Sequence, residues 1–181
     1  MSIVYLITKI LTYPAAYFKG FWEHLTCRIL DIPVVRGGYL RSNHFCGHVE
    51  HAPAQSAGKA FLLAFLPWLA QKLMALVFLT ASAVPLFLFG LRGASETSFF
   101  WVELILLFIG LGFLCNAYPL RADFDVLWHS FYKAEQKPSI VARILLAPLN
   151  ATFAAGAWLE HYGVSILIWF GAAVALYIVA Y

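Results

Sequence analysis

The sequence predicts a mainly α-helical membrane protein: about four transmembrane helices, a β-hairpin after the first and an interfacial helix before the last. Three observations carry this expectation. Hydrophobic residues make up 62% of the 181-residue chain and charged residues only 12%, with a mean hydropathy of +0.79, about half the charge of a soluble domain. Apolar stretches of about 20 residues, the length that crosses a bilayer as a helix, recur along the chain. Between the first two lies the one stretch that alternates like a strand and carries turn residues.

The first helix is expected over 3–30, with Pro14 as a kink or break, since proline has no N–H and clashes with the preceding turn. Its polar residues Lys19, Glu23, His24 and Arg28 fall along one side, and Lys19 and Glu23 are one helical turn apart. The hairpin is expected over 33–52, with strands on either side of Ser42-Asn43. In its second strand His44, Cys46, His48 and Glu50 share one face, and Phe45, Gly47, Val49 and His51 the other. A helix over 60–91 follows, broken near Pro67 into a short leading piece and a main span. Lys72 lies within it and must snorkel or find a partner. The next helix, 99–118, carries Glu103 near its start. Asn116 and Pro119 end it, and an amphipathic helix follows over 123–134, with Asp123 or Asp125 available as its cap. Residues 140–158 are apolar but interrupted by Arg143, Pro148 and Asn150, which suits an interfacial or re-entrant helix, with a full span as the alternative. Residues 164–181 are free of charge and form the last span.

These elements make one integral membrane domain. A net charge of +3, spread along the chain, gives no footprint for nucleic acid. Cys27, Cys46 and Cys115 show no disulfide framework. No cleavable signal peptide is expected, because Lys9 interrupts the first apolar run and Tyr13-Pro14 stands where small residues are needed. Arg28, Arg36, Arg41, Lys59, Arg121, Lys133, Lys137 and Arg143 fall on the hairpin side and Arg92 on the other. The positive-inside rule then puts the hairpin in the cytoplasm and, with four spans, both termini outside.

Three groups of residues carry potential chemistry. Lys19, Glu23 and His24 place charge in an apolar helix, where each charge costs about 2.5–3.5 kcal/mol or more at membrane depth. His24, His44, Cys46, His48 and His51 offer imidazole and thiolate donors suited to zinc or copper. Alternate residues of one strand are nearly 7 Å apart, so such a site needs a second segment, for which Cys27 or His24 qualifies. The segment Asn116 to Asp125 ends a helix with Asn and Pro and supplies an aspartate, Asp123, that suits either a metal or the Lys19 ammonium.

Pro14, the stretch Leu25 to Leu30, Gly47 to Pro53 ahead of the second long helix, Asn116-Ala117-Tyr118-Pro119 with Asp123, and Ile144 to Leu149 occur in an order that resembles the site-2-protease-like intramembrane metalloproteases, in particular their compact prokaryotic members. The resemblance covers most of the chain and is one of pattern. It implies their fold and a place in a prokaryotic cytoplasmic membrane. It also implies a zinc site formed by His-Glu-x-x-His on the first helix and an aspartate after the third. Aligned in this way, Lys19 stands at the first His, Gly20 at the catalytic Glu and Glu23 at the second His, and only Asp123 is kept in kind. A protonated ammonium cannot bind metal, and the general base is absent.

The resemblance therefore implies the fold without the activity: a pseudoprotease-like protein with no catalytic residue, no metal and no cofactor. In that reading Lys19 takes the place of the cation and pairs with Glu23 and Asp123. The hairpin, through Val35, Gly38, Tyr39, Phe45, His48 and His51, offers an edge strand to a membrane-protein partner, with a homo-oligomer also compatible. Two alternatives stay open. One is a zinc-dependent intramembrane protease rewired onto His24, His48, His51 or Asp123. The other is a small transporter or channel component in which Lys19, Glu23, Lys72, Glu103 and Asp123 line a polar path.

Overall fold

The computed structural model describes residues 3–37, 49–83, 98–134 and 138–180. Seven α-helices and a two-stranded sheet follow in the order α1 (Ile3–Leu11), α2 (Tyr13–Ile29), β1 (Val34–Gly37), β2 (Val49–His51), α3 (Ala57–Ala83), α4 (Ser98–Cys115), α5 (Arg121–Trp128), α6 (Ile140–Tyr162) and α7 (Ser165–Ala180). Among the described residues, α3 and α6 are long and apolar enough to cross a membrane, and the apolar stretches Trp101–Cys115 of α4 and Ser165–Ala175 of α7 are shorter.

Prolines account for the main differences from the expected boundaries. The first expected helix is two helices, divided at Thr12, with Pro14 in the opening turn of α2, where its missing N–H costs nothing. The expected break at Pro67 does not occur. Helix α3 runs through it, and the proline is buried against the α2 and α5 side of the bundle. Proline within an apolar span is tolerated where neighbouring groups satisfy the backbone it frees. In the same way α6 continues through Pro148 to Tyr162, a single helix of 23 residues, so the interruption that suggested a re-entrant segment is absent. Ser139 caps its start by accepting from the Ala142 N–H at 3.2 Å, and Gly163, at φ 71°, turns the chain into α7.

Helix α4 stops at Cys115, earlier than expected, and 116–120 is non-helical. Helix α5 starts at Arg121 from an extended Leu120. Neither Asp123 nor Asp125 is therefore its cap. Asp123 lies inside the first turn, where a carboxylate favours the helix dipole. The continuation of α5, His129–Lys133, is a π-helical turn.

The strands pair antiparallel, Val34 opposite His51, Arg36 opposite Glu50 and Gly37 opposite Val49, with a bulge at Val35. The hairpin residues Gly38, Tyr39, His44, Phe45, Cys46 and His48 lie outside the described residues.

Small residues set the helix spacing. Ala15 of α2, Ala75 of α3 and Phe113 of α4 form one buried cluster, with Phe78 stacked on Phe113 at 5.5 Å. Ala60 and Ala64 of α3 close on Leu127, Phe131 and Phe153 in another. Cys27, Ile32 and Leu63 form a third beneath the hairpin. Such small residues let helix backbones approach closely.

The tightest approach is at Gly156 of α6, where the Tyr118 ring lies so close that an added Cβ would stand 1.9 Å from a ring carbon. Gly156→Ala must displace Tyr118 and is expected to cost about 1–3 kcal/mol, read as a lower unfolding temperature in detergent. Gly171→Ala, with nothing within 4 Å, serves as the neutral control.

Candidate functional site

The break between α1 and α2 brings two lysines to one point. On a straight helix, residues ten apart are about 15 Å apart along the axis, yet Lys9 and Lys19 reach the same atom, Glu160 Oε1 of α6, at 2.6 and 2.7 Å. All three residues are essentially inaccessible to solvent. Lys9 also donates to Asn116 Oδ1 at 2.6 Å. The Asn116 amide donates to Thr12 Oγ1 at 2.7 Å and to the Gly112 carbonyl at 2.9 Å. Thr12 donates in turn to the Thr8 carbonyl, and Thr8 to the Gly163 carbonyl that ends α6. Lys19 donates to the Tyr118 carbonyl at 2.5 Å, capping one of the backbone groups left open where α4 unwinds. One polar network thus joins α1, α2, α6 and the end of α4.

Below Lys19 lies a pocket lined by Glu23, His51, Leu63, Pro67, Tyr118 and Asp123, with about 10 Å³ of room, at most the space of one water. Glu23 is buried and accepts the Val49 backbone N–H at 3.3 Å, which fastens β2 to α2. His51, at the end of β2, places Nε2 3.6 Å from Asp123 Oδ1 and Nδ1 2.9 Å from the Ala52 carbonyl. The Asp123 carboxylate raises the His51 pKa above its ordinary value, and the Ala52 carbonyl and Glu23 add to this against the lowering effect of burial. The hairpin is therefore held at both faces of the pocket, by a carboxylate of α2 and by one of α5.

The structure brings together Lys19, Glu23, Asp123 and His51, four residues singled out in the sequence, the last on the hairpin. Gly20 is buried beside Lys19 in α2. His24 is turned elsewhere, with its ring against Gly37 of β1. Glu160, which accepts from Lys19, falls beyond the expected end of its helix at 158, and the sequence pattern marks Lys9 only as an interruption of an apolar run. The signal for both was present, as a lone charge in an apolar run must be answered by another at the same depth.

The Lys19 ammonium, hydrogen-bonded to Glu160 Oε1, has no lone pair to offer a metal ion. Among the described residues, no group of three or more His, Cys, Asp or Glu side chains is placed to hold a metal ion. Comparison with models of known protein families, with characterised proteins and with solved structures gives no significant match.

Two predictions follow from the geometry. Glu160→Gln leaves two buried ammonium groups without their carboxylate and is expected to cost about 3–5 kcal/mol. Replacing Lys9 and Lys19 by Met together with Glu160 by Leu is expected to recover most of that loss in detergent unfolding. Equal stability of Glu160→Gln and the unaltered protein would count against the network. The His51–Asp123 contact has its own pH signature. Because the folded pKa of His51 is raised, its contribution is complete below the unfolded value of about 6.5 and is lost as pH rises through the folded value. Unfolding temperature should therefore fall with rising pH across this range, and Asp123→Asn should flatten that slope.

Proposed function

We propose that this protein is a non-catalytic, pseudoprotease-like integral membrane protein of about four spans that holds a membrane-protein partner through its hairpin. The observation that carries the reading is the Lys19 ammonium at the head of the Glu23–Asp123 pocket, bonded to Glu160 and to the Tyr118 carbonyl. The residues that align with the metal positions of site-2-protease-like enzymes converge on one pocket, which supports the resemblance in fold. The cation in that pocket is a side chain. That feature favours a structural use of the old site.

The hairpin is placed to be the working surface. β2 is fastened to α2 through Glu23, while β1 is the exposed strand of a two-stranded sheet. An exposed edge can pair with an extended segment of another chain. The bulge at Val35 and the charge of Arg36 restrict that pairing, which suits one partner better than many.

A photo-reactive amino acid at Val35, 72% exposed, tests the proposal in native membranes. It should give one discrete adduct containing the partner at full length. A Val35→Pro change should reduce capture by a probe placed at Arg36. Stoichiometric zinc together with Asp123-dependent cleavage of the captured chain would establish the rewired protease instead. Ion flux in vesicles that requires Lys19 and Glu23 would establish transport.

A further inference from the structure

Three lysines lie within apolar stretches of the described helices, and they are not treated alike. Lys9 and Lys19 deliver their ammonium groups to Glu160. Lys72, about midway along the 27-residue α3, has its Nζ 5.0 Å from the ring centroid of Tyr118 and 5.0 Å from that of Trp169 in α7. Among the described residues it makes no hydrogen bond and meets no carboxylate within ion-pair distance.

Ring faces attract a cation but accept none of its N–H groups in the way an oxygen does. A lysine near the end of a span extends to the interface. Lys72 is instead held sideways between two rings, far from either end of its helix and only partly covered. Around it, Leu69, Leu73 and Leu76 face outward. Exposed leucines are ordinary on a lipid-facing helix and carry no signal. The charge among them does.

We infer that the α3 face centred on Lys72, walled by Tyr118 and Trp169, docks a transmembrane helix of a partner protein that carries a carboxylate at the depth of Lys72. Charge complementarity selects this occupant, since an ionised group at membrane depth calls for a counter-charge at that depth. Anionic lipid headgroups sit at the interface, away from the middle of α3. The exposed Ala172, one turn beyond Trp169 on α7, allows a second backbone to come close. The inference rests on the reading that the protein holds a membrane partner, and it specifies that partner's chemistry.

The test uses the full-length protein in phosphatidylcholine vesicles with a dye-labelled polyleucine helix carrying one central Glu, or Gln at the same position. Energy transfer should report at least about threefold tighter association of the Glu helix. The preference should vanish with Lys72→Leu and persist with Lys72→Arg, both variants showing unaltered helical content. Equal association of the two helices, or a preference that survives Lys72→Leu, overturns the inference. So does a Lys72-dependent preference for phosphatidylglycerol with no preference between the helices, which identifies a lipid, or Lys72-dependent self-association, which identifies a second copy. Val35→Pro should leave the helix preference intact. Failure of capture at the hairpin with that preference retained overturns the hairpin reading alone.

Discussion

The arrangement of this molecule depends on one carboxylate oxygen, Glu160 Oε1, which accepts from two lysines on two helices. An isolated buried charge is costly, so each of the three side chains depends on the other two. That condition links distant parts of the chain. The first helix must break near Pro14 so that Lys9 and Lys19 converge. Helix α6 must continue through Pro148 so that Glu160 reaches them. Helix α4 must stop at Cys115 so that Asn116 and the Tyr118 carbonyl are free to take the remaining ammonium protons. Packing is consistent with the same register, for Gly156 admits the Tyr118 ring one turn from Glu160.

Such a network is a device for position more than for stability. Replacing a buried ion cluster by apolar residues of similar size is often neutral or favourable, whereas deleting one member is severe. Apolar helices alone slide against one another with little preference among registers. Two ammonium groups that share one acceptor fix the relative height of α1, α2 and α6. The same contact fixes the height of the pocket floor, and with it the points at which Glu23 and Asp123 hold the hairpin.

Much of this was legible in the sequence. Composition and the spacing of apolar runs lead to a mostly helical chain, in which α3 and α6 are long and apolar enough to cross a membrane; the strand-like alternation leads to the hairpin, and Asn116 with Pro119 marks the end of α4. The ionisable stripe of α2 points to a site, and Lys19, Glu23 and Asp123 do meet there. What was not legible has a common cause. Pro67 and Pro148 read as breaks by local propensity, but in a tightly packed apolar bundle tertiary contacts hold the helix on both sides of the proline. Local spacing points Lys19 toward near neighbours in sequence, whereas its carboxylate acceptor Glu160 lies 141 residues away. Nothing local to Lys19 identifies Glu160; only a balance of charges by depth across the chain would have done so.

The same balance of charges connects the two surfaces proposed for partners. At the Glu160 end of the bundle the protein answers its own buried charge, and the result is rigid and closed. At Lys72 it supplies two aromatic faces and no acceptor within the described residues, on a helix that packs against α2 and α4 elsewhere. A fold able to satisfy two lysines with one glutamate had the means to satisfy the third, or to replace it by leucine at no cost in a span. Tyr118 takes part in both places, through its carbonyl to Lys19 and through its ring to Lys72. A helix drawn to Lys72 would therefore press on the residue that closes the Lys19 pocket, and the pocket in turn carries the hairpin on Glu23 and Asp123. Tyr118 is thus the residue through which the Lys72 face and the Lys19 pocket touch.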